Sequence, residues 1–430
     1  MATSAQSAAF RALRTPAGRR LLDSIDPAEV DADPLGAATR LRRAGPADAP
    51  DAPDAPDAEN GGEPGEEPGV PHADLVTAAL TQARLRGRAR SKFGDLAARM
   101  YFTPDGLEQA TRRTVAEYRA RRFAAGVAPG TLVGDLCCGI GADMLALAAE
   151  GLDVEGVDSD PFTAAVAEAN AAALGLAGRA RVRGGDVALV APGDYGAVFC
   201  DPARRGKKGR IFDPHAYSPP WGTAMDLARG ASAACVKAAP GIPHELVPDG
   251  ASAEWISVDG DVKEAALWFG ALSDVPRRAT LLRGDGRGPA TLTADPGLGA
   301  PPVAAPGRYL YEPDGAVIRA HLVAEAAAAV GGALLDPRIA YITSDRLAAT
   351  PFARAYEVTD VLPFSLKRLR SVLRERGAGT VTIKKRGSAV DVEKLRRDLR
   401  PSGPESVVVV LTRIGDRPIS LLCSEVTGPR

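Results

Sequence analysis

The chain has 430 residues, 45% hydrophobic and only 5% aromatic, with a formal net charge of −1. That length gives material for two or three domains, while no apolar run reaches the roughly eighteen residues of a membrane span and the N-terminus lacks a signal peptide's apolar stretch. Five cysteines without a C-x-x-C pair and four scattered histidines argue against a zinc site or disulfide framework, so the chain reads as soluble, reduced and cytoplasmic, with no metal.

Residues 1–45 carry helical patterning through Phe10, Leu13, Leu21 and Leu22. A low-complexity stretch follows, DAPDAPDAPDAENGGEPGEEPG, too poor in large apolar residues to offset its ordering entropy; a disordered insert is expected over 46–72. From Pro46 to Asp74 there are nine acidic residues and no Lys or Arg, which leaves the remainder at +8. The globular part is basic. Helical periodicity returns at Leu75, Ala79 and Leu80 and continues through Phe93, Leu96 and Met100. Arg84, Arg86, Arg88, Arg90 and Lys92 add positive charge there. A further helix is predicted over Leu107–Phe123, headed by Thr103-Pro104-Asp105, with Arg112, Arg113, Arg119, Arg121 and Arg122 as a basic face.

From Thr131 short apolar runs alternate with helices. Strands are expected at Thr131–Leu136, Val154–Val157, around Arg181–Val182, at Ala197–Cys200 and at Ala233–Ala239. Helices are expected at Ala142–Glu150, Pro161–Leu174 and Trp221–Arg229. Strands apolar on both faces imply a parallel sheet covered on both sides. Glu254–Val258, Asp259-Gly260 and Val262–Phe269 then read as a hairpin, although the alanines of the return segment also suit a helix. Residues 305–345 and 346–430 read as one or two small α+β units, ending in strands Ser406–Leu411 and Pro418–Cys423.

The most informative stretch is VGDLCCGIGAD, Val133–Asp143: a strand, a glycine turn, then a helix. Gly139 and Gly141 let the backbone turn sharply against a ligand, and the helix starting near Ala142 offers free N–H groups to a carboxylate. A dinucleotide site would carry G-x-G-x-x-G beneath a pyrophosphate. Here Asp135 precedes the turn and Asp143 follows it, which repels pyrophosphate but suits the ammonium and sulfonium of S-adenosylmethionine. Asp158 ends the next strand where a carboxylate can accept from both ribose hydroxyls. Asp186, beside Val187, falls where an adenine amino group needs an acceptor. Asp201-Pro202-Ala203-Arg204-Arg205 ends the fourth strand. A carboxylate there, fixed by Pro202, can orient an acceptor amine or hydroxyl for in-line transfer, with Arg204 on the substrate. The alternative is an Asp-Pro turn with solvated arginines.

Together these residues resemble class I S-adenosylmethionine-dependent methyltransferases and, more closely, bacterial members with a C-terminal THUMP-like domain. The matching stretches are FTPDGLEQAT (Phe102–Thr111), DLCCGIGAD, Val157-Asp158, DPARR and YLYEPD (Tyr309–Asp314). The resemblance implies an α/β fold: a Rossmann-like core, an N-terminal helical region and a C-terminal α+β module, ferredoxin-like plus THUMP-like. The implied borders are 1–127, 128–304, 305–345 and 346–430. It implies S-adenosylmethionine as cofactor, adds Cys137, Gln109 and Thr111 to its contacts, and makes tRNA or rRNA the favoured substrate. Two departures bear on chemistry. Arg204 stands where amino-methylating enzymes of nucleic acids carry an aromatic residue, and Ser257-Val258-Asp259-Gly260 offers no cysteine nucleophile for methylation at uracil C5.

Basic residues are densest at Lys367, Arg368, Arg370, Arg374 and Arg376 and again at Lys384, Lys385 and Arg386, a sensible phosphate-contacting surface with few aromatics. Arg205 and Lys207 lie in the loop after the fourth strand, where a substrate phosphate can pass. Two readings compete with RNA methylation: a small-molecule or protein methyltransferase, and an RNA-binding protein with a degenerate core.

Overall fold

The computed structural model describes residues 3–43, 70–203, 205–206, 209–210 and 217–426, with the side chains of 205–206 and 209–210 excepted. Arg204, Lys207, the Arg205 side chain and residues 46–69 of the acidic insert therefore lie outside the described residues. The chain forms two compact units, residues 1–236 with 270–272 and residues 237–269 with 273–430.

The first unit opens with four short helices, α1 (Ser4–Leu13), α2 (Pro16–Asp23), α3 (Pro27–Ala32) and α4 (Pro34–Arg43), packed along the long α5 (His72–Phe93). Pro at the first turns of α2 and α3, with Thr15 and Asp26 as side-chain caps, fixes where these helices begin. The predicted helix Leu107–Phe123 is in fact two, α6 (Pro104–Gln109) and α7 (Arg113–Gly126). The break at Ala110 has a tertiary cause. Lys92 Nζ, on α5, donates to the carbonyls of Leu107, Glu108 and Ala110 at 2.7, 2.7 and 3.0 Å. Those are the orphan carbonyls of a helix C-terminus, and an ammonium satisfies them well.

The sheet of this unit is parallel: β1 (Leu132–Leu136), β2 (Asp153–Asp158), β3 (Ala180–Gly184), β4 (Ala197–Cys200) and β5 (Ala233–Ala238), in spatial order β3-β2-β1-β4-β5. Helices α8 (Ala142–Ala149), α9 (Pro161–Ala173) and α10 (Trp221–Gly230) make the crossovers. The strand order reverses at β1, between β2 and β4. A switch point of this kind opens a crevice outside the carboxyl strand ends.

The second unit holds two sheets. In the first, β6 (Ser252–Val258) and β7 (Asp261–Gly270) are antiparallel around Asp259-Gly260, and β8 (Arg277–Leu282) runs parallel to β6 with β9 (Ala290–Thr293) at the edge. The return segment is a strand despite its alanines, because Ala265–Trp268 face buried surroundings on both sides. The second sheet takes β10 (Tyr309–Pro313), β11 (Ala333–Asp336), β12 (Ile339–Ser344), β13 (Ala353–Pro363), β14 (Ala378–Lys385), β15 (Glu405–Ile414) and β16 (Arg417–Glu425). Their spatial order is β11-β12-β10-β13-β16-β15-β14, so strands from 305–345 and 346–430 share one sheet. Helices α11 (Gly315–Arg319) and α12 (Val323–Ala329) follow β10, while α13 (Leu366–Glu375) and α14 (Val392–Leu399) cover one sheet face through Leu369, Leu373, Leu395 and Leu399. The other face buries Tyr341, Tyr356, Val408 and Val410. Among the described residues no helix is long and apolar enough to cross a membrane, and no group of three His, Cys, Asp or Glu residues is set to hold a metal.

Candidate active site and basic surfaces

Within the first unit the turn after β1 is held from both sides. Val157 O on β2 accepts from the Cys137 and Cys138 N–H groups at 2.9 and 3.1 Å. Cys137 and Gly139 both take left-handed backbone angles, φ 66° and 56°. For cysteine that geometry is costly and persists only where surroundings impose it. A Cβ on Gly139 would meet nothing within 4 Å, so its free face opens to solvent; one on Gly141 would sit 2.9 Å from Met144 Cε. Asn170 on α9, which sequence reasoning missed, stitches this turn to the preceding segment. Its Nδ2 donates to Ile140 O and Tyr101 O, and its Oδ1 accepts from the Tyr101 N–H at 2.7 Å. The FTPDG stretch lies against the turn, since a Cβ at Gly106 would strike Ile140 Cγ2 at 2.4 Å. Gln109 is exposed at the end of α6, and Thr111 is buried.

Asp135, at the carboxyl end of β1, is 1% exposed. No donor meets either carboxylate oxygen at full hydrogen-bonding geometry. Burial pushes its pKa well above the ordinary carboxylate range, with neighbouring Asp143 and Asp201 adding to the rise; the Met144 N–H and the Arg119 charge oppose it. Asp143, on the first turn of α8, pairs with Arg119 of α7, and both are buried. The Arg119 guanidinium stacks over the Phe199 ring at 4.3 Å. Arg119 thus belongs to the interior, not to the exposed basic face its neighbours suggested.

Asp158 ends β2 with one oxygen accepting from the Gly139 N–H at 2.9 Å and the other from the Asp160 N–H at 3.0 Å. Each oxygen keeps a lone pair for a further donor. Burial raises its pKa from the usual value. Asp186 is exposed and accepts from the Ala188 N–H, and Val187 beside it is buried. The Asp201 N–H donates to Leu136 O at 3.1 Å, extending the β1–β4 ladder by one residue, and Pro202 behind it is buried. The fold therefore gathers Asp135, Asp143 and Asp201 in one electrostatic neighbourhood, with Asp158 across the glycine turn.

The expected basic residues separate. Arg84 and Arg86 pair with Asp31 and Asp23, at 3.7 and 3.2 Å. In the second unit Lys367 and Arg368 are exposed on α13. Lys385 Nζ donates to Val390 O at 3.1 Å, whereas Lys384 pairs with Glu312 at 2.8 Å and Arg386 leans on the Tyr341 ring. Alternation along β14 explains this. Val381 and Ile383 face the helices, which turns Lys384 to the other side of the sheet.

Known proteins agree with this geometry. The chain is 38% identical over 356 residues to an uncharacterized S-adenosylmethionine-dependent methyltransferase of Mycobacterium tuberculosis (strain ATCC 25618 / H37Rv), spanning 80% of this chain and 95% of that protein. A shorter stretch of 89 residues is 36% identical to an uncharacterized RNA methyltransferase of Parasynechococcus marenigrum, 20% of this chain and 19% of that one. Residues 353–425 match the THUMP domain-like family, and residues 6–52 match a domain of unknown function. A crystal structure from Porphyromonas gingivalis W83, named as a methyltransferase, superposes with a TM-score of 0.69 over 82% of this chain and 91% of that one at 21% identity, which shows the fold. A parallel sheet with its acid-flanked glycine turn at the switch point, and a relative aligned over most of both chains, place this protein in the S-adenosylmethionine-dependent methyltransferase family, with a THUMP-like domain in its second unit.

Proposed function

We propose that this methyltransferase acts on RNA, tRNA or rRNA, by direct transfer without an enzyme–base adduct. The observation that carries the RNA reading is the basic face of α13 and α14. Lys367, Arg368, Arg374, Lys394 and Arg397 are exposed there, while the leucines of both helices face the sheet. A stripe of cations with little aromatic interleaving suits a folded or duplex phosphate backbone. The THUMP-like match and the RNA methyltransferase aligned over 89 residues support the same substrate class. The working division is a helical region 1–127, a methyltransferase core 128–304, and the segments 305–345 and 346–430 as an RNA-facing pair.

The residues at the switch point fit S-adenosylmethionine. Asp135 is a buried carboxylate that no donor meets at full hydrogen-bonding geometry, which an ammonium satisfies; the open face of Gly139 admits a ligand close to the backbone; and Asp158 retains acceptor capacity for ribose hydroxyls. When bound, S-adenosylmethionine supplies an electrophilic methyl group on its sulfonium. Gly141, Cys137 and Asp143 shape and charge the turn, Asp186 and Val187 border the adenine end, and Gln109 and Thr111 cover the site. Asp143 acts through Arg119, its ion-pair partner. Asp201, next along from Pro202, accepts from the incoming nucleophile and aims its lone pair, a positioning role that suits a reaction whose electrophile comes ready-made. Arg204 and Arg205 contact the substrate. Direct transfer is supported by the burial of Cys138, Cys200, Cys235 and Cys423, with burial also pushing the Cys138 pKa well up; Cys137, partly exposed, lies in the cofactor turn. Buried thiols make poor nucleophiles.

Nucleoside mass spectrometry of total tRNA and rRNA from wild-type and deletion cells tests the reading. One methylated nucleoside is expected to vanish on deletion and to return with the wild-type gene but not with Asp201→Ala. An unchanged profile, with S-adenosylmethionine binding intact, would move the substrate to a small molecule or a protein.

A further inference from the structure

The YLYEPD stretch is the narrowest motif in the chain, and its polar groups build a cleft inside the second unit. Tyr311 is fully buried, and its hydroxyl accepts from the Ala348 N–H at 2.7 Å, pinning the loop that follows β12. Glu312 Oε2 accepts from Lys384 Nζ at 2.8 Å and from the Tyr356 hydroxyl at 3.3 Å. Asp314 caps α11 by accepting from the Ala316 N–H. The cleft in front of them encloses about 850 Å³.

Its two walls differ in chemistry. On one, Lys384, Arg386 and Arg354 meet three carboxylates, Glu312, Asp314 and Glu425, Arg354 standing opposite Glu312 in the β10–β13 register. Lys384 is taken by Glu312 and Asp314 by the α11 cap, which leaves two guanidinium groups against Glu425. Arg386 lies 5.5 Å from the Tyr341 ring centre, and its Nε is buried with no acceptor. An orphaned guanidinium N–H is costly unless an anion completes it. The other wall, from the β6–β7 turn and the loop after β8, presents Asp259, Asp261, Arg283 and the Asp285–Arg287 pair. Leu347, 47% exposed, adds an apolar surface at the edge.

We propose that this cleft is a second ligand site and that it takes a phosphate-bearing nucleotide. The Arg354 and Arg386 guanidinium groups match a phosphate, for which guanidinium is the preferred partner. The volume far exceeds what inorganic phosphate fills and lies in the range of small-molecule sites. Carboxylates opposite suit base amino groups or ribose hydroxyls, and Leu347 suits the face of a base. The nucleotide is either free or an unpaired residue of an RNA chain; both bring the same chemistry.

Calorimetric titration of the full chain with cytidine monophosphate, in saturating S-adenosylhomocysteine so that the nucleoside site of the first unit is filled, tests the cleft. Lys384→Gln with Arg386→Gln is expected to weaken binding by about tenfold or more, the loss of charge-assisted hydrogen bonds. Arg354→Gln, at an exposed position, is expected to weaken it in the same direction with an unchanged melting temperature, which keeps the test valid should the double variant misfold. A single-stranded oligoribonucleotide that loses affinity in step identifies RNA as the source; an oligoribonucleotide that is unaffected while cytidine monophosphate is lost identifies a free nucleotide. The proposal is overturned if wild type binds no cytidine monophosphate at millimolar ligand, if none of the variants changes the affinity, or if inorganic phosphate binds as tightly as the nucleotide. It stands apart from the RNA-methylation reading: an unchanged nucleoside profile in deletion cells leaves the titration result in force.

Discussion

Asp135 sits where its own stability and its proposed task oppose one another. Burial and two neighbouring carboxylates raise its pKa, so folding favours protonation more than the unfolded chain does. A raised carboxyl pKa contributes stability that is fully present below the unfolded value, about 3.9, and is lost as pH rises through the folded value. The ligand-free protein should therefore lose stability across that interval on going toward neutral pH. Asp135→Asn, which mimics the protonated acid, should flatten this loss in thermal denaturation followed against pH. The same substitution should abolish S-adenosylmethionine binding by calorimetry, because a neutral amide cannot balance an ammonium. A variant that binds the cofactor normally would remove Asp135 from the site. The residue types here were legible from sequence, since an acid before a glycine turn already argued against pyrophosphate. That no donor meets Asp135 at full geometry was not, because it depends on what three other chain segments bring to it.

Among elements, the clasp between α7 and α8 was hidden. Arg119 and Asp143 are twenty-four residues apart in sequence, and neither pointed to the other: Arg119 stood in a basic run, and Asp143 read as an acid beside the cofactor. Packing of α7 against α8, with Arg119 over Phe199 of β4, puts both inside. Breaking a buried pair leaves a lone charge, so Arg119→Leu should cost about 3–5 kcal/mol in denaturant unfolding, while Arg119→Leu with Asp143→Leu should recover most of that loss. Equal destabilisation by single and double variants would show that the pair is not coupled. The single variant should also move the acid limb of cofactor binding to higher pH, since Arg119 opposes the rise at Asp135. Most elements were readable because their apolar periods are clean: β4 spans Ala197–Cys200 as expected. The helix break at Ala110 was not readable, because Lys92 on a distant helix terminates α6.

For the molecule as a whole, the placement of charge supports the proposed RNA partner. The net −1 averages an acidic stretch against a basic remainder, and the fold sorts the basic remainder further. Arg84 and Arg86 face acids of neighbouring helices, Lys384 turns into a cleft, and cations of α13 and α14 stay exposed, the face proposed for phosphate. Lys367→Ala with Arg368→Ala should weaken binding to duplex RNA and lower the salt dependence of log K by about one to two units, in line with the phosphates released. An unchanged slope in filter binding from low to physiological salt would exclude this face.

Sequence alone determined the class of protein: the parallel sheet, the acid-flanked glycine turn and the cofactor. Each rests on local rules, a strand's apolar run, glycine at a left-handed turn and the sign of charge beside it. Tertiary structure decided which charges act. A side chain's burial and partners are set by segments far away in sequence, and these made Arg119 an interior clasp, Asp135 an unmet acceptor and Lys384 the wall of a cleft. No period or spacing along the chain encodes that, because electrostatic energy depends on distance and dielectric in space.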